Sequence, residues 1–253
     1  MISLKYTKVS DLFSLISVNK YYYNYLSNLP LIKEIKEFKK TKKYHGGRNS
    51  EYYFTDLFSD VCYHGFINYA KYLFKNHNIN IHYADEYAFR YSCQNGHLDV
   101  AKWLVDLSKQ LNSPININSR GYDAFLSSCQ NGHLETAKWL IDLSKELNSP
   151  IYIHTCNNYA FRYSCQKGHL ETAKWLIDLS KQLNSLIDIH AWNDFAFLWS
   201  CAFGHLETAE WLIDLSKELN SPINIHADND YAFSSSCSHG HLETAKWLFN
   251  LGK

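Results

Sequence analysis

Apolar positions along this chain recur in steps of three and four, and the pattern itself then recurs. In the copy opening at Tyr87, the residues YAFRYSCQN make a short stretch that is apolar on one side, and a single glycine, Gly96, follows. A second run opens at His97 and places Leu98, Ala101, Leu104, Leu107 and Leu111 on one face of a helix, because residues three and four apart are neighbours on a helix surface. The spacing predicts two helices joined by a tight turn in which glycine takes a conformation that a Cβ resists. Asn112, Ser113 and Pro114 stop the second helix, since proline lacks a donor and pushes its predecessor out of the helical region. The stop returns at Pro150 and Pro222; Leu186 replaces the proline once, so that stop rests on Asn184 and Ser185. A segment of two-residue alternation comes next, INIHADNDYAF at Ile223, and predicts an extended arm ending in a turn.

Gly65, Gly96, Gly132, Gly168, Gly204 and Gly240 are spaced by 31, 36, 36, 36 and 36 residues. CQNGHLDVAKWL, CQNGHLETAKWL, CQKGHLETAKWL, CAFGHLETAEWL and CSHGHLETAKWL begin at Cys93, Cys129, Cys165, Cys201 and Cys237, and CYHGFINYAKYL at Cys62 is a worn version. One such unit is too small to hide its own apolar stripe, whereas stacked copies share a continuous core.

YAFRYSCQNGHLDVAKWL resembles the ankyrin pattern, with Ser92 and Cys93 as its small pair and Gly96 and His97 as its Gly-His. The resemblance recurs six times and implies an all-α solenoid of stacked antiparallel helix pairs with short extended arms, over residues 51–253. Departures are the Tyr87-Ala88 that replaces the usual Thr-Pro and a period of 36 instead of about 33. This longer variant is similar to the ankyrin arrays of large DNA viruses. The resemblance also implies that His97, His133, His169, His205 and His241 tie neighbouring repeats by hydrogen bonds.

Apolar residues make up 46% of the chain and charged ones 20%, enough to bury a large core. Six of the seven cysteines fall three residues before a repeat glycine, Cys156 being the exception. One layer of helices separates equivalent cysteines by about 8–10 Å, too far for a disulfide, so they read as reduced, buried, small apolar residues. Neither a secretory leader nor a window of about 20 apolar residues is present, which predicts a location inside the cell, in the cytoplasm, with no membrane contact.

Each layer offers at most two metal ligands, such as Cys93 and His97, where zinc wants four, so neither a metal nor another cofactor is expected. Ser92, Cys93 and His97 supply the letters of a nucleophile and base, but five layers repeat them, which argues for a scaffold and against an enzyme. Trp103, Trp139, Trp175, Trp211 and Trp247 share one slot, read as buried packing between layers and not as base stacking.

Positions that differ between repeats are free to serve a partner. The pair before the glycine reads Gln94-Asn95, Gln130-Asn131, Gln166-Lys167, Ala202-Phe203 and Ser238-His239. In ankyrin proteins these positions and the arm tips line the concave binding surface. The candidate partner-binding set is therefore Gln94, Asn95, Arg120, Tyr122, Asn131, Asn157, Lys167, Trp192, Asn193, Phe203 and His239. Trp192 and Phe203 stand out as anchors, since exposed aromatics dominate interface energetics. Arg90, Tyr91, Arg162, Tyr163, Leu198 and Trp199 vary too, one turn deeper, and read as compensating packing against small residues such as Ser127 and Ser235.

Residues 1–50 follow no repeat and form a basic helical segment with ten Lys/Arg against three Asp/Glu, leaving fifteen against twenty-two for residues 51–253. DLFSLISVNKYYYNYLSNL from Asp11 is helically patterned and breaks at Pro30. It reads as a cap on the stack; it also resembles the latter half of an F-box, although the usual opening Leu-Pro and acidic residue are missing. That resemblance implies docking on the adaptor subunit of a cullin-type ubiquitin ligase, with the repeats choosing the substrate. KEIKEFKKTKK from Lys33 reads as a solvated helix face; nucleic acid is the less favoured reading. The partner protein itself is not named by the sequence.

Overall fold

The structure is a computed structural model that describes residues 30–41 and 53–252. The segment from Asp11, with its F-box-like string, lies outside the described residues. Helix α1 (Pro30–Thr41) leads six helix pairs: α2 (Tyr53–Tyr63) with α3 (Ile67–Asn76), α4 (Tyr83–Gln94) with α5 (Leu98–Gln110), α6 (Ser119–Gln130) with α7 (Leu134–Glu146), α8 (Thr155–Gln166) with α9 (Leu170–Gln182), α10 (Ala191–Ala202) with α11 (Leu206–Glu218), and α12 (Ala227–Ser238) with α13 (Leu242–Leu251). No strand occurs among the described residues. The arms place Ile115 and Ile117 in the core with Asn116 between them exposed, and the isoleucine pairs of the other arms repeat this down to Ile223.

In the four middle pairs both helices end by the same device. Gly96 is left-handed (φ +73), and its N–H donates to the Cys93 carbonyl at 3.1 Å while the His97 N–H reaches back to the Ser92 carbonyl at 2.8 Å. At the far end Asn112 is left-handed (φ 51), with Asn112 N–H on the Lys109 carbonyl at 3.1 Å and Ser113 N–H on the Ser108 carbonyl at 3.0 Å. This pair of bonds satisfies carbonyls that the last turn leaves open, and asparagine tolerates the conformation. The repeat without proline stops identically, with Asn184 left-handed and Ser185 N–H on the Ser180 carbonyl at 3.0 Å. Asparagine is thus sufficient, and the proline is an addition. Ala101, Leu104 and Leu107 are buried as their spacing predicts, but Leu111 lies past the end of the stripe and is 47% exposed.

Inside the stack the first helices of the first five pairs each bury a phenylalanine (Phe58, Phe89, Phe125, Phe161, Phe197) and a cysteine, whereas Phe233 of the sixth is exposed. The neighbouring serine hydroxyl crosses to the repeat before it: Ser128 donates toward the Cys93 carbonyl, Ser164 toward Cys129 (both 3.0 Å), and Ser236 toward Cys201 at 2.9 Å. Burial pushes the thiols of Cys62, Cys93, Cys129, Cys165 and Cys201 well above the ordinary range, so they are inert packing. All described cysteines are free, but Cys237 is exposed, contrary to expectation, because no described repeat follows to cover it. The tryptophan slot also differs from expectation. Each Trp packs across layers on the phenylalanine of the preceding repeat, as Trp139 does on Phe89 at 6.4 Å, yet the indoles are half-buried.

First helices of successive repeats approach one another closely, whereas second helices meet at few points, so the first helices and arms form the more tightly packed, inner side of the stack. At one end α1 docks on α3. Pro30 opens it, in the first turn, where the N–H that proline lacks has no partner within the helix. Ile32 and Ile35 are buried, and Glu34 accepts hydrogen bonds from Asn68 Nδ2 at 2.8 Å and Tyr69 N at 2.9 Å. The start of the basic run therefore rides on a helix with an anchored apolar side, not on a wholly solvated one.

Candidate partner-binding surface

Each arm ends in an unusual turn. Arg120, Gly121 and Tyr122 all have positive φ (51, 69 and 71), and so do Ala84–Glu86, Cys156–Asn158, Trp192–Asp194 and Asp228–Asp230. The right-handed part of the first helix begins only after this triplet, at Tyr87 in the first full copy. Left-handed helical backbone costs about 1–2 kcal/mol per residue outside glycine, so something must enforce it.

Hydrogen bonds within each turn, joined in most arms by bonds to the next repeat, brace it. His82 Nδ1 faces the Glu86 carboxylate at 2.9 Å across the turn, and its Nε2 meets Ser113 Oγ of the next repeat at 2.9 Å. His154 meets Asn158 Oδ1 at 2.7 Å and Ser185 Oγ at 2.8 Å; His190 meets Asp194 Oδ1 at 2.5 Å and Ser221 Oγ at 2.8 Å. These residues went unread in the sequence. Their signal is a histidine closing the apolar arm, an acid or amide four residues on, and the serine that follows each left-handed asparagine. Ser221, His190 and Asp194 have the composition of a hydrolytic triad. The same joint recurs with an amide in the acid's place, and His190 Nε2 also faces the Ser221 carbonyl at 3.1 Å, so the ring is engaged in holding the arm. Ser92 is likewise committed, its hydroxyl lying 2.6 Å from the Ala88 carbonyl and 3.3 Å from that of Cys62.

The second histidine set joins neighbouring repeats by close packing, each ring lying against a glycine of the preceding repeat. For His97, His133 and His205 the backbone at Tyr63, Gln94 and Gln166 of that repeat favours the protonated ring and partly opposes the effect of burial. Burial, reinforced by neighbouring histidines, holds His97, His133, His169 and His205 below the usual imidazole range.

Of the candidate contact residues, Arg120, Asn157, Lys167, Trp192, Asn193, Phe203 and His239 are exposed, while Gln94, Asn95, Tyr122 and Asn131 are half-buried. Several have internal duties. Asn131 Nδ2 donates to the Gln94 carbonyl at 2.9 Å, Asn95 Nδ2 to the Tyr91 carbonyl at 2.8 Å, and Arg120 Nε to Asp85 at 3.1 Å. Tyr122 packs edge-on against Tyr152. Only one region gathers the candidates. Trp192 meets Phe195 (6.3 Å), Phe195 meets Trp199 and Tyr163 (5.6 and 5.4 Å), and Trp199 stacks on Phe203 and abuts Tyr231 (5.6 Å each). Trp192 is 61% and Phe203 42% exposed, so this aromatic tract runs from an arm tip across the inner helices with both ends open to water.

No helix among the described residues is long and apolar enough to cross a membrane. No protein of curated description matches the sequence. Among solved structures, the chain is similar to an ankyrin repeat family protein from Legionella pneumophila, at 17% identity and a TM-score of 0.40, covering 94% of this chain and 85% of the other. The family pattern described as "Ankyrin repeats (3 copies)" matches residues 58–151 and 161–253, and that described as "Ankyrin repeats (many copies)" matches residues 129–177. With most of its length so matched, the chain belongs to the ankyrin repeat family.

Proposed function

We propose that this chain holds a partner protein on the inner face of its stack, centred on the aromatic tract between Trp192 and Phe203. Ankyrin repeats are protein–protein interaction modules, and proteins built from them are typically scaffolds without enzymatic activity. The observation that carries the finer reading is the pair of exposed aromatic side chains joined by a continuous path of rings, since aromatics clustered on a rigid frame are the usual anchors of an interface. Arg120, Asn157, Lys167 and Asn193 would supply polar contacts around it. Affinity capture with wild type and with an Arg120→Ala, Trp192→Ala, Phe203→Ala variant tests this, and identical captured proteins would refute it.

A second reading makes the chain a substrate-recruiting adaptor of a cullin-type ubiquitin ligase, carried by the F-box-like string between Leu12 and Leu26. Co-purification of the ligase's adaptor subunit with wild type, lost on Leu15→Ala, Val18→Ala, Tyr22→Ala substitution, is the expected result. Retention of the subunit by that variant would dismiss the reading. The cytoplasm is the proposed location, a host's cytoplasm should the likeness to viral arrays reflect origin.

A further inference from the structure

Arg90 and Arg162 stand at the same place two repeats apart, and two of their three guanidinium nitrogens are bound alike. Nε and Nη2 donate to carbonyls of the left-handed turn: Asp85 and Ala84 at 2.6 and 3.2 Å for Arg90, Asn157 and Cys156 at 2.7 and 3.0 Å for Arg162. They part at Nη1. Arg90 Nη1 donates to the carboxylate of Asp123 in the next repeat. After Arg162 the equivalent residue is Phe195, and Arg162 Nη1 is shut from water with no acceptor among the described residues.

Rings cover the orphaned group. The guanidinium carbon lies 4.4 Å from the centroid of Trp192, 4.8 Å from Phe195 and 5.5 Å from Tyr163, and the side chain is only 2% exposed. The cover is thin, because Trp192 itself stands in solvent at the arm tip. Burial holds Arg162 below the ordinary guanidinium range, and the groups that oppose this are Tyr163, Tyr159 and Cys156, with no carboxylate among them. Ring faces attract a cation but give Nη1 no oxygen to bond.

We infer that Arg162 receives a carboxylate from the bound partner. An acidic side chain of a protein segment takes the place relative to Arg162 that Asp123 takes relative to Arg90. Trp192 swings outward to admit it, which unpacks no core, and Phe195, Trp199 and Phe203 contact apolar residues beside the acid. The inference rests on the partner-binding reading above and narrows it to an acidic segment with apolar neighbours. The internal pair Arg90–Asp123 is the template: the fold already brings a carboxylate to this nitrogen once, and at the second copy Phe195 and the exposed ring of Trp192 cover the place where the carboxylate is lacking.

The test is selection of a random linear peptide library displayed on phage against the full chain, followed by affinity measurements on the selected peptides. The expected peptides share an Asp or Glu next to an aromatic or aliphatic residue. Their binding should weaken at least about thirtyfold in Arg162→Gln, the usual scale for breaking a desolvated charge pair. Phe195→Asp guards against a folding artefact: it supplies Arg162 with an internal carboxylate, so it should melt no lower than Phe195→Asn yet bind the peptides far more weakly than Phe195→Asn does. Peptides that need Trp192 and Phe203 but tolerate Arg162→Gln and Phe195→Asp would overturn the inference while leaving the binding surface standing. Peptides indifferent to all four positions, or no enrichment at all, would overturn both.

Discussion

His133 lies across Gly96 so closely that a Cβ placed on the glycine would sit 2.5 Å from the ring Nδ1. The same approach joins Gly65 to His97, Gly132 to His169, Gly168 to His205 and Gly204 to His241. The Gly-His pair is therefore one device used in two repeats at once, with the glycine of one layer making room for the histidine of the next.

Gly132→Ala should accordingly destabilise by at least about 2 kcal/mol, combining left-handed strain with displacement of the His169 ring. At Gly240 nothing lies within 4 Å of an added Cβ, and its φ is +78, so Gly240→Ala should cost only the backbone strain, about 1 kcal/mol. Thermal unfolding of both variants decides the matter. Equal losses would mean that the ring contact contributes nothing.

The same ring ladder predicts a pH dependence. Burial lowers His97, His133, His169 and His205, and protonation of one further disfavours protonation of its neighbours: His97 acts on His133, His133 and His205 on His169, and His241 on His205. Asp99 opposes the shift of His97, whereas Lys167 adds to that of His169 and His205. A folded-state value below the unfolded one means that the unfolded chain binds more protons, so stability rises with pH. The contribution is complete above the ordinary histidine value of about 6.5 and is lost as pH falls through the lowered folded-state values. Melting temperature should be flat above about pH 7 and decline from about pH 6.5 to 5, before most carboxylates titrate. A His133→Asn, His169→Asn variant should be less stable at pH 8 and show a shallower decline; an unchanged slope would remove the ladder as its cause.

Much of this was legible in the sequence because repetition separates what the stack needs from what it does not. Ala101, Leu104 and the Gly96 turn follow from spacing, and Asn184 could be read as a helix stop even where Leu186 replaces the proline. The arms were less legible. Trp192 and Cys156 sit in left-handed backbone that neither residue favours, braced by a bond between His190 and Ser221, or His154 and Ser185, about thirty residues apart. Local preference does not reveal a conformation braced by contacts so distant in the sequence. For the binding surface, listing variable positions found Trp192 and Phe203, but it passed over Phe195 and read Arg162 as packing. The difference between Arg90 and Arg162 depends on the residue facing each from the following repeat, Asp123 or Phe195, which a comparison of equivalent positions one at a time does not pair.

Packing between layers predicts unequal costs for its two aromatic members. Phe89 is fully buried and Trp139, which rests on it, is half-buried, so Phe89→Ala should cost about 3–5 kcal/mol and Trp139→Ala about 2–3. Their double-mutant cycle should return a coupling of about 0.5–1.5 kcal/mol, as for aromatic pairs in tilted contact. Strict additivity would place the indole's contribution elsewhere.

Asn118 marks the arm where the histidine of the joint is missing, and it predicts a stabilising repair. Its Nδ2 donates to Ser149 Oγ at 2.9 Å, reproducing the outer half of the joint, but Oδ1 is shut from water without a donor. The reason is Tyr122, which stands where Glu86, Asn158 and Asp194 face a histidine in other repeats and turns toward Tyr152 instead. A buried acceptor left unpaired costs about 1–3 kcal/mol. Asn118→His alone should gain little, because its inner nitrogen would find no carboxylate. Tyr122→Asp alone should lose stability by giving up the Tyr152 contact and setting a carboxylate beside the Asn118 oxygen. Together they rebuild the joint seen at His190, Asp194 and Ser221, and the double variant should exceed wild type by about 1 kcal/mol, less the tyrosine contact of about 0.5–1 kcal/mol, with favourable coupling between the two changes. The coupling is the diagnostic quantity, since it cancels whatever each substitution does to the unfolded chain, and a value near zero in thermal or urea unfolding would show that the joint does not hold the arm.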